Sequence, residues 1–219
     1  MDSENTNDSA FAQALGDLKR RGSNLLVVGT PAAEAHHDAC DRFLGDERPE
    51  RRRLLVLTDG THDHARHHEG TETRVITRSA STRSAAAAQP AAPGADAGAS
   101  RDLAGADLGT LSLAIAEDLA DLEAEGEASA VRLCFDSLTP ILEEYDSGAV
   151  LRFLHAVTNR VRGSSAMAHY HLPLERDSDA VRDVEESFDA VVQLRRAGGA
   201  TEQRWHILQP DLDSGWLPL

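Results

Sequence analysis

Uninterrupted apolar runs alternate along the chain with stretches in which apolar residues recur every three or four positions. Phe11, Leu15 and Leu18 fall at helical spacing between Ser9, a candidate cap, and Gly22, a candidate stop. Residues 25–28 then form a continuous apolar run closed by Gly29, as in a strand buried on both faces, and residues 34–44 return to helical spacing. The cycle repeats, with strands predicted over 54–57 and, more weakly, 74–77. Leu111, Ile115, Leu119 and Leu122 mark a helix, and 131–135 a fourth strand that ends in Asp136, Ser137, Leu138 and Thr139. Pro140 suits the first turn of the helix that follows. Val150, Phe153, Leu154, Val157 and Val161 predict another helix, 166–172 a strand, 180–187 a short helix, 190–195 a strand and 204–208 the last.

Strands and helices alternating in this rhythm predict an α/β domain, three layers deep, with a mainly parallel sheet covered on both faces. The final two strands fit a hairpin turning at Gly198 and Gly199. One domain over 9–209 is expected, between a disordered acidic stretch at 1–8 and a tail at 210–219. Residues 79–105, rich in Ala, Ser, Pro and Gly without apolar periodicity, are expected to be a flexible insertion. Ligands of such sheets sit beyond the carboxyl ends of the strands, which directs attention to 29–37, 58–68, 136–139 and 169–174.

Composition narrows the function classes. No apolar run approaches the roughly 20 residues that cross a bilayer, so no membrane partner is expected. Thirty-seven acidic against twenty-two basic residues give a net charge of −15, which opposes nucleic acid binding, and no basic stripe or helix-turn-helix offsets it. Lys19 is the only lysine, and aromatic residues make up only 4%. Excess acid with arginine in place of lysine resembles the surface habit of proteins from saturated-salt cytoplasm, and by that resemblance the chain looks haloarchaeal and cytoplasmic. The polar, acidic start predicts no secretory leader. Cys40 and Cys134 lack CxxC spacing and read as small buried hydrophobes in a reducing compartment. No GxSxG motif marks a serine nucleophile. In the tail, Trp216, Leu217 and Leu219 can dock in a partner's groove or fold back. Arg51, Arg52 and Arg53 precede strand two, at the edge away from the ligand side, and suit a partner's carboxylates or Glu47 and Glu50.

The segments NLLVVGTPAAEAHHDACDRFL, RRRLLVLTDG, VRLCFDSLTPILEEYD, AMAHYHLP and FDAVVQLRR resemble, in order and spacing, the RecA-like NTPase core and its KaiC-like branch, over roughly 15–208. A working phosphate loop reads GxxxxGK[ST]. With Gly29 as its first glycine, the last three positions hold Glu34, Ala35 and His36: a carboxylate toward phosphate, no cation, and a ring in place of the magnesium-binding hydroxyl. Asp59 and Gly60 stand where KaiC-like ATPases carry paired glutamates. Asp136 matches the Walker B aspartate, although a strand-ending Asp also starts turns and caps helices. Glu143 and Glu144 are expected on a solvated face. The whole pattern looks like a haloarchaeal family that keeps a RecA-like or KaiC-like fold without its Walker A motif. The resemblance implies a pseudo-ATPase, no cofactor, and a degenerate nucleotide site at Gly29, Thr30, Asp136 and Ser137.

Histidine supplies a competing site. His62, His64, His67 and His68 follow strand two, near His36 and His37 after strand one, and with Asp63 or Asp38 they offer donors suited to zinc, nickel or iron. His169 and His171 share one face of their strand. Three function classes therefore stand: a regulatory or protein-interaction module, monomeric or dimeric, whose partner is an active NTPase or a signalling protein; a nucleotide sensor without turnover; and a histidine-based metal hydrolase.

Overall fold

The computed structural model describes residues 2–45, 51–58, 72–79, 100–126 and 130–219, with side chains from residue 9 onward. In chain order the elements are α1 (Asp2–Arg21), β1 (Ser23–Val28), α2 (Ala33–Leu44), β2 (Arg52–Leu57), β3 (Thr73–Thr77), β4 (Ser100–Asp102) and α3 (Leu108–Ala124). They continue as β5 (Val131–Phe135), α4 (Thr139–Glu144), α5 (Ser147–Gly163), β6 (Met167–Leu172), α6 (Asp179–Glu185), β7 (Ala190–Ala197), β8 (Ala200–Ile207) and β9 (Leu212–Pro218).

Among the described residues nine strands form one sheet, ordered β4-β3-β2-β5-β6-β1-β7-β8-β9. Strands from β4 to β7 pair in parallel, and β7, β8 and β9 pair antiparallel. The turn at Gly198 and Gly199 joins β7 to β8 with φ of 59° and 85°, angles that favour glycine. The fold class is thus α/β with a mostly parallel mixed sheet.

Alternation along each strand sends its side chains to two cores. On one face Leu26, Val28, Leu54, Val56, Leu133, Phe135 and Tyr170 pack against α3, α5 and α6 through Leu111, Ile115, Leu154, Val157 and Val181. On the other, Leu25, Val27, Val192 and Leu194 meet Ala14 and Leu18 of α1 and Ala39 of α2, while Leu55 and Cys134 meet Cys40 and Leu44. Each fully buried Leu, Ile, Val or Phe contributes about 1.5–3 kcal/mol relative to exposure. Long apolar runs are therefore what a two-sided burial demands.

The periphery adds detail in three places, the fold-back of the C-terminal residues being one of the two courses expected of them. Helix α1 begins at Asp2, seven residues ahead of the cap expected at Ser9. Residues 100–102 at the end of the expected insertion form β4 beside β3, while 80–99 lie outside the described residues. The C-terminal residues fold back as β9 on β8, and the Arg195 guanidinium sits 3.8 Å from the centre of the Trp216 ring.

At the start of β2, Arg51 and Arg53 serve α2. Arg51 donates to the Leu44 carbonyl at 3.2 Å and Arg53 to the Gly45 carbonyl at 2.7 Å, satisfying acceptors that the helix end leaves open. Glu47 and Glu50 lie outside the described residues.

Candidate functional site

At the carboxyl ends of β1 and β5 the four residues expected to contact nucleotide stand two strand spacings apart, about 10 Å, with β6 between them. Their polar groups are already engaged. The Gly29 amide donates to the Leu174 carbonyl at 2.8 Å, and the Thr30 hydroxyl donates to the Glu175 carboxylate. Gly29 has φ of 114°, and a Cβ there would lie 2.2 Å from the Leu194 carbonyl oxygen, so glycine is required by the close approach of β7.

Asp136 is buried and its Oδ1 accepts from both the amide and the hydroxyl of Thr58, each at 2.8 Å. The Thr58 hydroxyl also reaches the Ser137 carbonyl at 2.5 Å, and the Ser137 hydroxyl accepts from the Thr139 amide at 3.2 Å. This aspartate ties β5 to β2 across the strand ends. Glu34 lies exposed in the first turn of α2, where a carboxylate complements the helix dipole and repels phosphate. Glu144 is exposed as expected, but accepts from Arg78 at 2.7 Å.

His36 turns away from this edge into the layer between α2 and the sheet. Its Nε2 lies 3.0 Å from the Gly29 carbonyl oxygen, and its Nδ1 lies 2.9 Å from Nδ1 of His171. A carbonyl can only accept, so His36 carries its proton on Nε2. The His36 Nδ1 then accepts, and His171 donates from Nδ1. That leaves the His171 Nε2 lone pair buried, with no hydrogen-bond partner among the described residues. Burial pushes the His171 pKa down to about 3, so the ring is neutral at ordinary pH.

Beside His171 stand three more donors. Cys40 and Cys134 have Sγ atoms 3.0 Å apart, in contact and too far for a disulfide. The His169 Nε2 lies 3.3 Å from Cys40 Sγ. Ligand atoms of Cys40, Cys134, His169 and His171 all fall within 4.8 Å of one another, and all four residues are buried. Burial pushes the Cys134 thiol up, so it keeps its proton. Cys40, in hydrogen-bond contact with Cys134 and facing His169, is pulled down.

Local structure explains the convergence. Cys134 and His169 are register partners on β5 and β6, and His171 follows two residues later on the same face. Cys40 comes from α2 one turn after His36, so both point down onto that face. Phe43 closes the outer side with its ring centre 5.5 Å from that of His169. These side chains supply two sulfurs and two imidazole nitrogens, donor types suited to a transition metal.

Sequence reading found both cysteines buried and both histidines on one face, but kept them apart. The missing piece was adjacency of β5 and β6, since 94 residues separate Cys40 from Cys134 and no short spacing announces the set. His37 is half-buried on α2, and His62, His64, His67 and His68 lie outside the described residues.

A family match covers residues 22–194, most of the chain, from the end of α1 into β7, and so includes the closed strand ends and all four buried donors. The chain belongs to the family of unknown function DUF7504. Helix α1, β8 and β9 fall wholly outside the matched residues. Among the curated proteins no match is found.

Proposed function

We propose that this DUF7504 chain is a RecA-like, KaiC-like domain that has given up nucleotide turnover and works as a regulatory or protein-interaction module. The sheet order supports the relationship, because one strand, β6, separates the strand ending at Gly29 from the strand ending at Asp136, as a RecA-like core requires. The observation that carries the loss of turnover is the closed loop after β1. Its first amide is bonded to Leu174, its first carbonyl accepts from His36, and Thr30 is bonded to Glu175. A phosphate would have to displace these bonds without the lysine that normally makes the charge-assisted contact. With that edge occupied, the domain offers other molecules its surface, where Leu113 of α3 and Leu151 of α5 are exposed.

Thermal unfolding in multimolar KCl, with and without millimolar ATP and magnesium, tests the reading. No change in midpoint is expected. A ligand at a hundred times its dissociation constant stabilises by about 2.7 kcal/mol, so a rise of several degrees would overturn the proposal in favour of a nucleotide sensor.

A further inference from the structure

We propose that Cys40, Cys134, His169 and His171 bind one zinc ion in a closed tetrahedral site that clamps α2 onto β5 and β6. The inference does not depend on the nucleotide reading, since its four ligand atoms lie on the buried face of the sheet and only His36, behind His171, is shared with the closed loop.

The donor set fits in type and number. Structural zinc sites take four protein ligands from Cys and His, and two thiolates plus two imidazoles are one of the recurrent sets. Sulfurs at about 2.3 Å and nitrogens at about 2.0 Å from a tetrahedral ion stand roughly 3.3–3.8 Å from one another. The observed Cys40–Cys134 and Cys40–His169 separations of 3.0 and 3.3 Å are slightly tighter, so an ion requires the donors to spread by several tenths of an ångström.

Charge fits as well. Zinc entering the site displaces two thiol protons to solvent, and two thiolates then neutralise the dication, with both imidazoles contributing neutral lone pairs. A net-neutral unit suits a pocket walled by Leu44, Leu55 and the partly buried Leu57 and Val75.

An outer shell is already in place. Metal-bound imidazole generally donates its other N–H to an acceptor that sets tautomer and ring angle. Here His171 Nδ1 donates to His36, which donates onward to the Gly29 carbonyl, and the nitrogen left with a lone pair is the buried Nε2. Because four protein donors fill the tetrahedron, the ion has no open position for water, and its role is structural.

The test is metal content and cobalt spectroscopy on the full chain purified in high salt without chelator. One equivalent of zinc is expected. Replacement by cobalt(II) should produce visible d–d bands together with a near-ultraviolet thiolate charge-transfer band. Cys40→Ala with Cys134→Ala should abolish both signals. A variant with His62, His64, His67 and His68 all changed to Ala should keep them, which separates this site from the histidines that follow β2 in the sequence. His36→Ala should weaken zinc binding about 10- to 100-fold while leaving one site per chain.

If the double cysteine variant does not fold, the wild-type chain decides. Stripping with chelator should lower its unfolding midpoint, and stoichiometric zinc should restore it. A folded wild-type chain that neither carries zinc nor yields the thiolate–cobalt band overturns the proposal. So does a double cysteine variant that retains its zinc, or loss of zinc from the histidine variant.

Discussion

Replacing Gly29 by alanine should destabilise the fold by about 3–5 kcal/mol, far more than an ordinary surface change. The backbone there has φ of 114°, a region that costs a non-glycine residue about 1–3 kcal/mol. The added Cβ would stand 2.2 Å from the Leu194 oxygen and 3.1 Å from its carbon, so the start of the loop and the end of β7 must separate by about 1 Å, at a cost of about 1–3 kcal/mol. That movement also strains the bond from the Gly29 amide to Leu174 and the one from His36 to the Gly29 carbonyl, each worth about 1 kcal/mol. At roughly 2–4 °C per kcal/mol for a domain of this size, the midpoint should fall by about 6–20 °C in a calorimetric scan at constant KCl. Gly163→Ala is the matched control: the position is helical and nothing lies within 4 Å of the new Cβ, so that variant should gain up to about 1 kcal/mol. A Gly29→Ala protein that unfolds within about 1 kcal/mol of wild type would refute the reasoning, because neither the left-handed backbone nor the approach of β7 could then be real.

Two further variants probe the core and the edge. Tyr170 is buried with its hydroxyl donating to Asn24 Oδ1 at 3.0 Å, and burial raises its pKa above the usual value near 10. Raised in the fold, it adds stability that is complete below the unfolded pKa and is lost as pH climbs past about 10, at about 1.4 kcal/mol per pH unit for one proton. Denaturant titrations from pH 8 to 11 should show that slope in wild type and its absence in Tyr170→Phe; Arg132 and other groups common to both cancel in the difference. At the β3 end of the sheet, buried Asp118 accepts from Arg74 at 3.3 Å and from Arg101 at 3.1 Å. Asp118→Ala should cost about 1–2 kcal/mol, discounted because both arginines are partly exposed and retain other acids, and equal stability of the two proteins in low and high salt would contradict the assignment.

Elements were legible in the sequence where burial acts on a whole run. Strands β1 and β2 carry continuous apolar runs at 25–28 and 54–57, and β5 one at 133–135, because helices cover both faces, and the helical stripes of α3 and α5 repeat because only one side of each meets the sheet. Strands β4 and β9 were not legible. One is three residues with an exposed, half-buried, exposed pattern, and the other has no fully buried residue, so neither carries the apolar signature that burial writes. The buried donor set was hidden for a different reason. Its members were each placed correctly on a helix or a strand, yet their meeting depends on which strands are neighbours, and strand order leaves no mark in local periodicity. Asp136 shows the opposite case: its position at a strand end could be read, but its partner Thr58, just after β2 and 78 residues earlier, was visible only in the fold.

His36 links the two halves of the interpretation. In the RecA-like reading it occupies the position where a phosphate loop places its magnesium-binding hydroxyl, at the start of the helix and facing the ligand. Here that side chain is an imidazole, and a ring of that size on a buried helical position points into the layer beneath α2. One nitrogen then closes the loop by donating to Gly29, and the other accepts from His171, a member of the buried donor set. A single replacement thus removes a group that phosphate binding needs and supplies one that a metal-bound histidine needs, with the same bonds doing both. The two proposals can therefore be separated at this residue. His36→Ala frees the Gly29 carbonyl and removes the acceptor behind His171, so it should weaken zinc binding; it restores neither a lysine nor a hydroxyl, so ATP with magnesium should still leave the unfolding midpoint where it was.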